Sequence, residues 1–385
     1  MDFVIDFLYV GDGDAIIIWA RNPNVADYVF FVDGGNAGSG KKVVEHFKNW
    51  IKPHLQNKAV IGFINSHPHA DHINGLIEII EELGTEMSFG IYNDPVECIT
   101  QEHKDRIHQA YIKNEDADIT HLYETFKQID KLNLLCTKFN LKRHTAFAED
   151  INLFDGAFRL LSPSKDFYVN MVQHFSDVDF LKTVDYSKKF SAVNSIEEET
   201  RPCAIVDETN DASPENLTST IIQLTDSKKL KYILTGDAGV DSFDYMESEG
   251  FDNTNIEFVQ LPHHGSRRNI STNWLAKFNP AYFLASAEGN NKHPRRAVIN
   301  CIKRNLPDCK VYSTHTSKDT LSYTTNREVF PDRNWGAATP LFLRCRCCEY
   351  SEDNTSTRTR RCRCFHLHHQ NEKTNSFIPY NELAF

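Results

Sequence analysis

The chain contains no run of about eighteen apolar residues, so no transmembrane helix is expected of it. Its first residues, Met1-Asp2-Phe3-Val4-Ile5-Asp6, lack a basic stretch and pass straight into a strand pattern. That argues against a signal peptide. An excess of positive charge is missing too. With 42 Lys and Arg against 53 Asp and Glu, the net charge is −11, which excludes a surface uniformly attractive to nucleic acid. Internal repeats are absent. The expected setting is therefore the cytosol, away from membranes, for an ordinary globular chain long enough for one large domain or two smaller ones.

What the chain does have is a dense group of metal-type ligands. His67-Pro68-His69-Ala70-Asp71-His72 puts three imidazoles and a carboxylate on one tight turn. It follows an apolar run, Val60 to Ile64, that reads as a buried strand, and it precedes a helical pattern from Ile73 to Leu83. On the extended segment His67 and His69 point to the same side, because strand side chains alternate. Asp71 and His72 stand where strand turns into helix and aim at a second point nearby. Two neighbouring cations with nitrogen and oxygen ligands are the simplest use of such a cluster.

Two later strand ends supply matching pieces. Tyr232 to Leu234 runs into Thr235-Gly236-Asp237, and Ile256 to Leu261 runs into Pro262-His263-His264-Gly265-Ser266. Asp237 can bridge two metals and His263 can complete the second, with His264 supporting His263 rather than ligating. Asp14 and Asp33 read equally as carboxylates that orient ligating histidines or as turn and N-cap residues.

Taken in this order, the motifs resemble the metallo-β-lactamase superfamily, and within it the hydrolase domain attached to ComEC-type competence channels. The resemblance rests on Val10-Gly11-Asp12-Gly13-Asp14-Ala15, Val32-Asp33-Gly34-Gly35, the His67–His72 hexapeptide, Leu234-Thr235-Gly236-Asp237-Ala238, His263-His264-Gly265-Ser266 and a late His293-Pro294. It covers about residues 1–325 and implies an α+β fold, an αββα sandwich of two mixed sheets with helices outside and the metals at one sheet edge. It also implies two Zn²⁺ ions, with Mn²⁺ as the alternative. One position departs from the family pattern. A further histidine usually completes the first metal's shell, and Leu160-Leu161-Ser162-Pro163 puts Ser162 in its slot. His144 and His174 lie on either side in contexts that do not match. The first ion, held by His67, His69 and Asp237, is therefore expected to bind weakly.

Mechanism follows from the metal set. A hydroxide held between the cations forms near neutral pH, because a metal lowers the pKa of bound water to about 7. It would attack phosphorus or a carbonyl carbon, with Asp71 essential to the reaction. His293 is the candidate to bind a substrate phosphate or protonate the leaving oxygen. Ser266-Arg267-Arg268 and Lys292-His293-Pro294-Arg295-Arg296 would form a basic rim, with Arg267 and Arg268 neutralising charge that develops on phosphate oxygens. The plainer use of these loops is solvation and pairing with nearby acids. A phosphodiesterase, most simply a nuclease acting on DNA, leads on these grounds. A small-molecule hydrolase for a thioester, lactone, lactam or cyclic nucleotide would need an enclosed apolar pocket instead. A non-catalytic module would use the inserted segments as contact surfaces.

The remainder of the chain frames this core. Asp2 to Trp19 and Tyr28 to Val32 read as strands and Lys41 to Leu55 as an amphipathic helix. Insertions are expected at about 95–150, helical from Thr100 to Leu132, and at 163–217, as a lid or binding surface. Residues 326–385 read as a Cys- and Arg-rich extension. A hairpin there would place Cys345, Cys347, Cys362 and Cys364 on one face, as ligands of a structural zinc or as reduced, half-buried strand residues. Its arginine face offers contacts to a nucleic acid or protein partner. Disulfides are disfavoured by a cytosolic setting.

Overall fold

Alternation along the first three strands decides the layering. In β1 (Asp2–Leu8), β2 (Ile16–Arg21) and β3 (Tyr28–Val32), the residues Phe3, Ile5, Phe7, Ile16, Ile18, Phe30 and Val32 join one apolar cluster. The intervening Val4, Leu8, Ile17, Trp19, Val29 and Phe31 join another. A period of two on a strand sends successive side chains to opposite faces, so both faces of this sheet are covered. The computed structural model describes residues 1–21, 26–56, 58–113, 117–175, 195–208, 213–287, 293–314 and 364–367.

The first sheet is completed by β4 (Val60–Ile64), β5 (Phe89–Ile91), β6 (Lys142–His144) and an edge strand from the far end of the chain. The second sheet contains β7 (Asn152–Leu153), β8 (Phe158–Ser162), β9 (Ile221–Thr225), β10 (Lys231–Leu234), β11 (Ile256–Gln260), β12 (Tyr282–Ala285) and β13 (Lys310–Ser313). With Cys364–Leu367 as β14, the orders are β14-β1-β2-β3-β4-β5-β6 and β13-β12-β11-β10-β9-β8-β7. Both sheets are mixed. Strands β3 to β6 run parallel, as do β10 to β13, so their carboxyl ends collect at one edge of each sheet.

The two sheets pack through an aromatic layer. Phe30 stacks on Phe158 with ring centroids 4.7 Å apart, and Phe7 meets Phe258 at 5.4 Å. Each such ring, fully buried, contributes roughly 1.5–3 kcal/mol. Outside the first sheet lie α1 (Gly40–His46), α2 (Ala70–Leu83), α3 (Gln101–Lys113) and α4 (Ala117–Phe139). Val43, Leu76, Ile80, Ile129 and Leu132 carry α1, α2 and α4 into that outer core. The second half of the chain contributes α5 (Lys165–Val172), α6 (Ser195–Thr200), α7 (Pro202–Asp207), α8 (Pro214–Leu217), α9 (Val240–Ser248), α10 (Thr272–Phe278) and α11 (Arg296–Asn305). Ile205, Phe243, Trp274 and Ile302 from this group pack on the second sheet. The result is the αββα sandwich expected from the sequence.

Three expectations need amendment. The region expected as a helical insertion is helical, but α4 is part of the outer layer and β6 is a sheet strand. The segment 163–217 is a series of short helices where it is described, each too brief to show periodicity in sequence. Finally, Cys364–Leu367 of the supposed extension pairs antiparallel with β1, Leu8 opposite Cys364 and Ile5 opposite Leu367. Cys345, Cys347 and Cys362 lie outside the described residues. One disulfide also appears against expectation. Cys203 in α7 is bonded to Cys301 in α11, 98 residues apart. The helices pack through Ile205, Val206, Val298 and Ile302, which puts the two thiols within reach. Among the described residues no helix is long and apolar enough to cross a membrane.

Candidate metal centre

Glycines bring the centre together. The loop after β3, Asp33-Gly34-Gly35, touches the backbone of α2: the Gly34 amide donates to the His72 carbonyl at 2.8 Å, and the Gly75 amide to the Gly35 carbonyl at 2.9 Å. A Cβ on Gly75 would fall 1.9 Å from the Gly34 oxygen, and one on Gly34 would fall 2.0 Å from the Leu76 nitrogen. Only glycine allows this approach. It delivers the Asp33 carboxylate to the first turn of α2, where Oδ2 accepts from Nδ1 of His72 at 2.9 Å. Oδ1 of Asp33 accepts from the Ser66 amide at 2.8 Å and from Asn65 Nδ2 at 2.9 Å, which fixes the turn leading to His67.

The carboxyl ends of the second sheet face this turn. Asp237 follows β10, and its amide donates to Ser219 Oγ at 3.2 Å. His263 and His264 follow β11, anchored by the His263 amide donating to the Gly236 carbonyl at 3.1 Å. Both have positive φ, 48° and 57°, and Gly265 continues at 83°. Non-glycine residues in that region cost of order 1–3 kcal/mol each and persist where the surroundings hold them.

Hydrogen bonds on the outer ring nitrogens set the tautomers. Nδ1 of His72 donates to Asp33, which leaves the lone pair on Nε2. Nδ1 of His264 lies 2.9 Å from the Ser286 carbonyl, which can only accept, so Nε2 of His264 also carries its lone pair when neutral. These nitrogens face acceptors. His72 Nε2 is 3.3 Å from Asp237 Oδ1, and His264 Nε2 is 3.2 Å from Asp71 Oδ2. With the rings protonated, each Nε2 offers a proton to its carboxylate; with the rings neutral, a divalent cation can take the proton's place between the same atoms. Among the described residues, Nε2 of His67, Nε2 of His72 and Oδ1 of Asp237 are buried and find no hydrogen-bond partner. Donor atoms of His67, His69 and Asp237 lie within 4.8 Å of one another, as do those of Asp71, His72 and His264. Nitrogen and carboxylate donors so arranged fit a divalent cation such as Zn²⁺.

The electrostatics agree. Burial, with His72 and His69 adding to it, holds the pKa of His67 well below the ordinary value, so that ring stays neutral. For His72 burial opposes charge, but Asp237 and Asp71 outweigh it and push the pKa well above the usual. His264 is opposed by burial and raised by Asp237 and Asp71 to about 9. Asp237 stays well below the carboxylate range despite burial, through His263, His72 and His264. Behind them, burial raises the pKa of Asp14, whose Oδ2 accepts from Gln260 Nε2 at 2.7 Å.

His67, His69, Asp71, His72 and Asp237 are all brought together. His264 is the imidazole beside Asp71 and His72, where the sequence reading put His263. Both residues follow the same strand, and the left-handed turn reverses their order of approach. His263 is not remote, however: its Nε2 lies 3.6 Å from Asp237 Oδ2. His293 reaches the site because Pro294 packs on Gly265 and the Arg295 amide donates to the Gly265 carbonyl at 2.9 Å. Its ring stacks on His263 with centroids 5.4 Å apart. The basic rim is reduced. Arg267 is only 6 % exposed, lying near Arg295, Arg268, Glu198 and Glu208, and Arg295 pairs with Glu198 at 2.7 Å. Arg268 stays half-buried. Ser162 is fully buried, and its hydroxyl finds no hydrogen-bond partner among the described residues. Asn269 and Gln260, which support the centre, gave no signal in sequence, because a lone amide side chain has no pattern.

No family model and no curated protein matches the chain. Solved structures do, at low identity. A candidate metallo-β-lactamase from Thermotoga maritima is 10 % identical with a TM-score of 0.31, covering 65 % of this chain and 93 % of that one. The Rm3 metallo-β-lactamase is 11 % identical with a TM-score of 0.29, covering 79 % and 92 %. Two neighbours carry the metallo-β-lactamase name. A third, long-form RNase Z from yeast, is 11 % identical with a TM-score of 0.33, covering 81 % of this chain and 36 % of that one. Likeness at this level carries no argument of its own; the strand order and the donor geometry do.

Proposed function

We propose that the chain is a metal-dependent hydrolase of phosphodiesters, DNA among them, with two Zn²⁺ ions, or Mn²⁺ in their place, on either side of Asp237. The observation that carries this reading is the convergence of imidazole and carboxylate donors at one sandwich edge, with buried histidine nitrogens that find no hydrogen-bond partner among the described residues. Cations bound there would polarise a substrate oxygen and acidify a bound water. The chain's own part is placement. Asp33 and the Ser286 carbonyl orient His72 and His264, while Asp71, with 32 % of its side chain exposed, offers its carboxylate beside them. His293, against His263, is placed to hold a substrate oxygen or pass a proton to the leaving oxygen. Arg268, half-buried beside the His pair, is the rim cation proposed for charge that develops on phosphate oxygens; Lys292 of the expected rim lies outside the described residues.

The motif resemblance to the ComEC-type hydrolase domain supports a phosphodiester substrate. One observation favours a smaller substrate such as a thioester, lactone, lactam or cyclic nucleotide: the burial of Arg267 and the Arg295–Glu198 pair leave less open basic surface than a DNA groove needs. A cytosolic location belongs to the same proposal, and the Cys203–Cys301 bond is the feature that argues against it. The test is a panel of a chromogenic phosphodiester, single- and double-stranded DNA, a thioester and a lactone, assayed with Zn²⁺ or Mn²⁺. Cleavage of the diester and of DNA supports the reading. Turnover confined to the thioester or lactone replaces it with the second.

A further inference from the structure

We propose that the adjacent imidazoles His263 and His264 serve different cations: His263 completes the first site, where Ser162 stands in place of the usual histidine, and His264 completes the second. This rests on the two-cation reading above. Asp237 divides the pair. Its Oδ2 lies 3.7 Å from His67 Nε2 and 3.6 Å from His263 Nε2, whereas its Oδ1 lies 3.3 Å from His72 Nε2 and 3.8 Å from His264 Nε2. Each carboxylate oxygen therefore faces one imidazole of the hexapeptide and one of the pair.

The ring of His263 is turned for this role. Asn269 Nδ2 donates to the Asp237 carbonyl at 2.9 Å, which directs its Oδ1 to Nδ1 of His263 at 3.1 Å. An amide oxygen accepts, so Nδ1 donates and the lone pair of His263 sits on Nε2, toward Asp237 Oδ2. Asn216 Nδ2 lies 3.1 Å from the same Nδ1, so with Nδ1 protonated the Asn216 amide must turn its oxygen to that side. His264 is held by the same logic through the Ser286 carbonyl. Both histidines hold positive φ, a costly conformation that persists where the surroundings over-determine it. Ser162 cannot take the role of an imidazole, since a neutral hydroxyl is a much poorer Zn²⁺ ligand.

The test is cation binding by the full chain, freed of metal by chelation and titrated with Co²⁺ and Zn²⁺, with stoichiometry from calorimetry and elemental analysis. Wild type is expected to bind two ions. His263→Ala and His67→Ala should each weaken the same ion, by more than the roughly 100-fold that loss of a supporting hydrogen bond alone produces. His264→Ala should weaken the other. Folding is checked by circular dichroism, and His263→Cys supplies a signature that a structural role would not: a thiolate-to-Co²⁺ charge-transfer band in the near ultraviolet. Two ions bound by His263→Ala with wild-type affinity, or a His263→Cys protein without the band, would overturn the inference and leave the hydrolase reading standing. A wild type that binds no divalent cation would overturn both.

Discussion

Nδ1 of His72 donates to Oδ2 of Asp33 across 2.9 Å, and that bond decides which nitrogen of His72 faces the centre. Asp33 holds the Ser66 amide, Asn65 and His72 at once, all of them buried. Asp33→Asn keeps the shape but brings an amide against groups that donate, so a divalent ion should bind about 10–100-fold more weakly, read by calorimetry. Asp33→Ala strands all three donors and should lower stability by about 3–5 kcal/mol in urea unfolding. Unchanged affinity in the Asn variant would mean that ring orientation does not depend on this carboxylate.

Gly75 tests the packing that delivers Asp33 to α2. A Cβ there meets the Gly34 backbone oxygen at 1.9 Å, and backbone cannot rotate away. Gly75→Ala is expected to cost more than about 3 kcal/mol, beyond ordinary overpacking in a core. Thermal melts would show it, and a melt equal to wild type would contradict the contact.

Asp71→Ala should abolish hydrolysis and leave the fold intact. Its side chain is 32 % exposed, so removing the carboxylate leaves no large cavity. The expected pattern is a wild-type circular dichroism spectrum with hydrolysis at background. Activity that survived would remove Asp71 from the reaction.

Cation binding should also stabilise the chain. An ion that binds the folded state alone, present at 100 times its dissociation constant, adds about 2.7 kcal/mol. The melting temperature should therefore rise with added Zn²⁺ in wild type and much less in Asp237→Asn, which loses the carboxylate shared by both donor groups. A Zn²⁺-independent melt in wild type would count against a folded-state metal site.

The sandwich and most of the centre were legible because the signals are local. A buried strand that ends in His67-Pro68-His69-Ala70-Asp71-His72 fixes strand, turn, helix and the candidate ligand cluster within one stretch of chain. The alternation of Phe3, Ile5 and Phe7 fixes the sheet in the same way. What stayed hidden depends on contacts between distant residues. Whether His263 or His264 approaches Asp71 follows from two left-handed residues that no spacing reveals. The acids whose charge reaches Arg267, Glu198 and Glu208, lie about sixty to seventy positions away in sequence. The bond between Cys203 and Cys301 and the pairing of Cys364–Leu367 with β1 join segments that share no pattern.

The most direct test of the central claim is anomalous diffraction from crystals of the chain grown with Zn²⁺ and recorded at the zinc edge. The account predicts two anomalous peaks, one on either side of the Asp237 carboxylate, within bonding distance of the His67 and His72 Nε2 atoms. No peak at Asp237, in a protein that still hydrolyses its substrate, would contradict it.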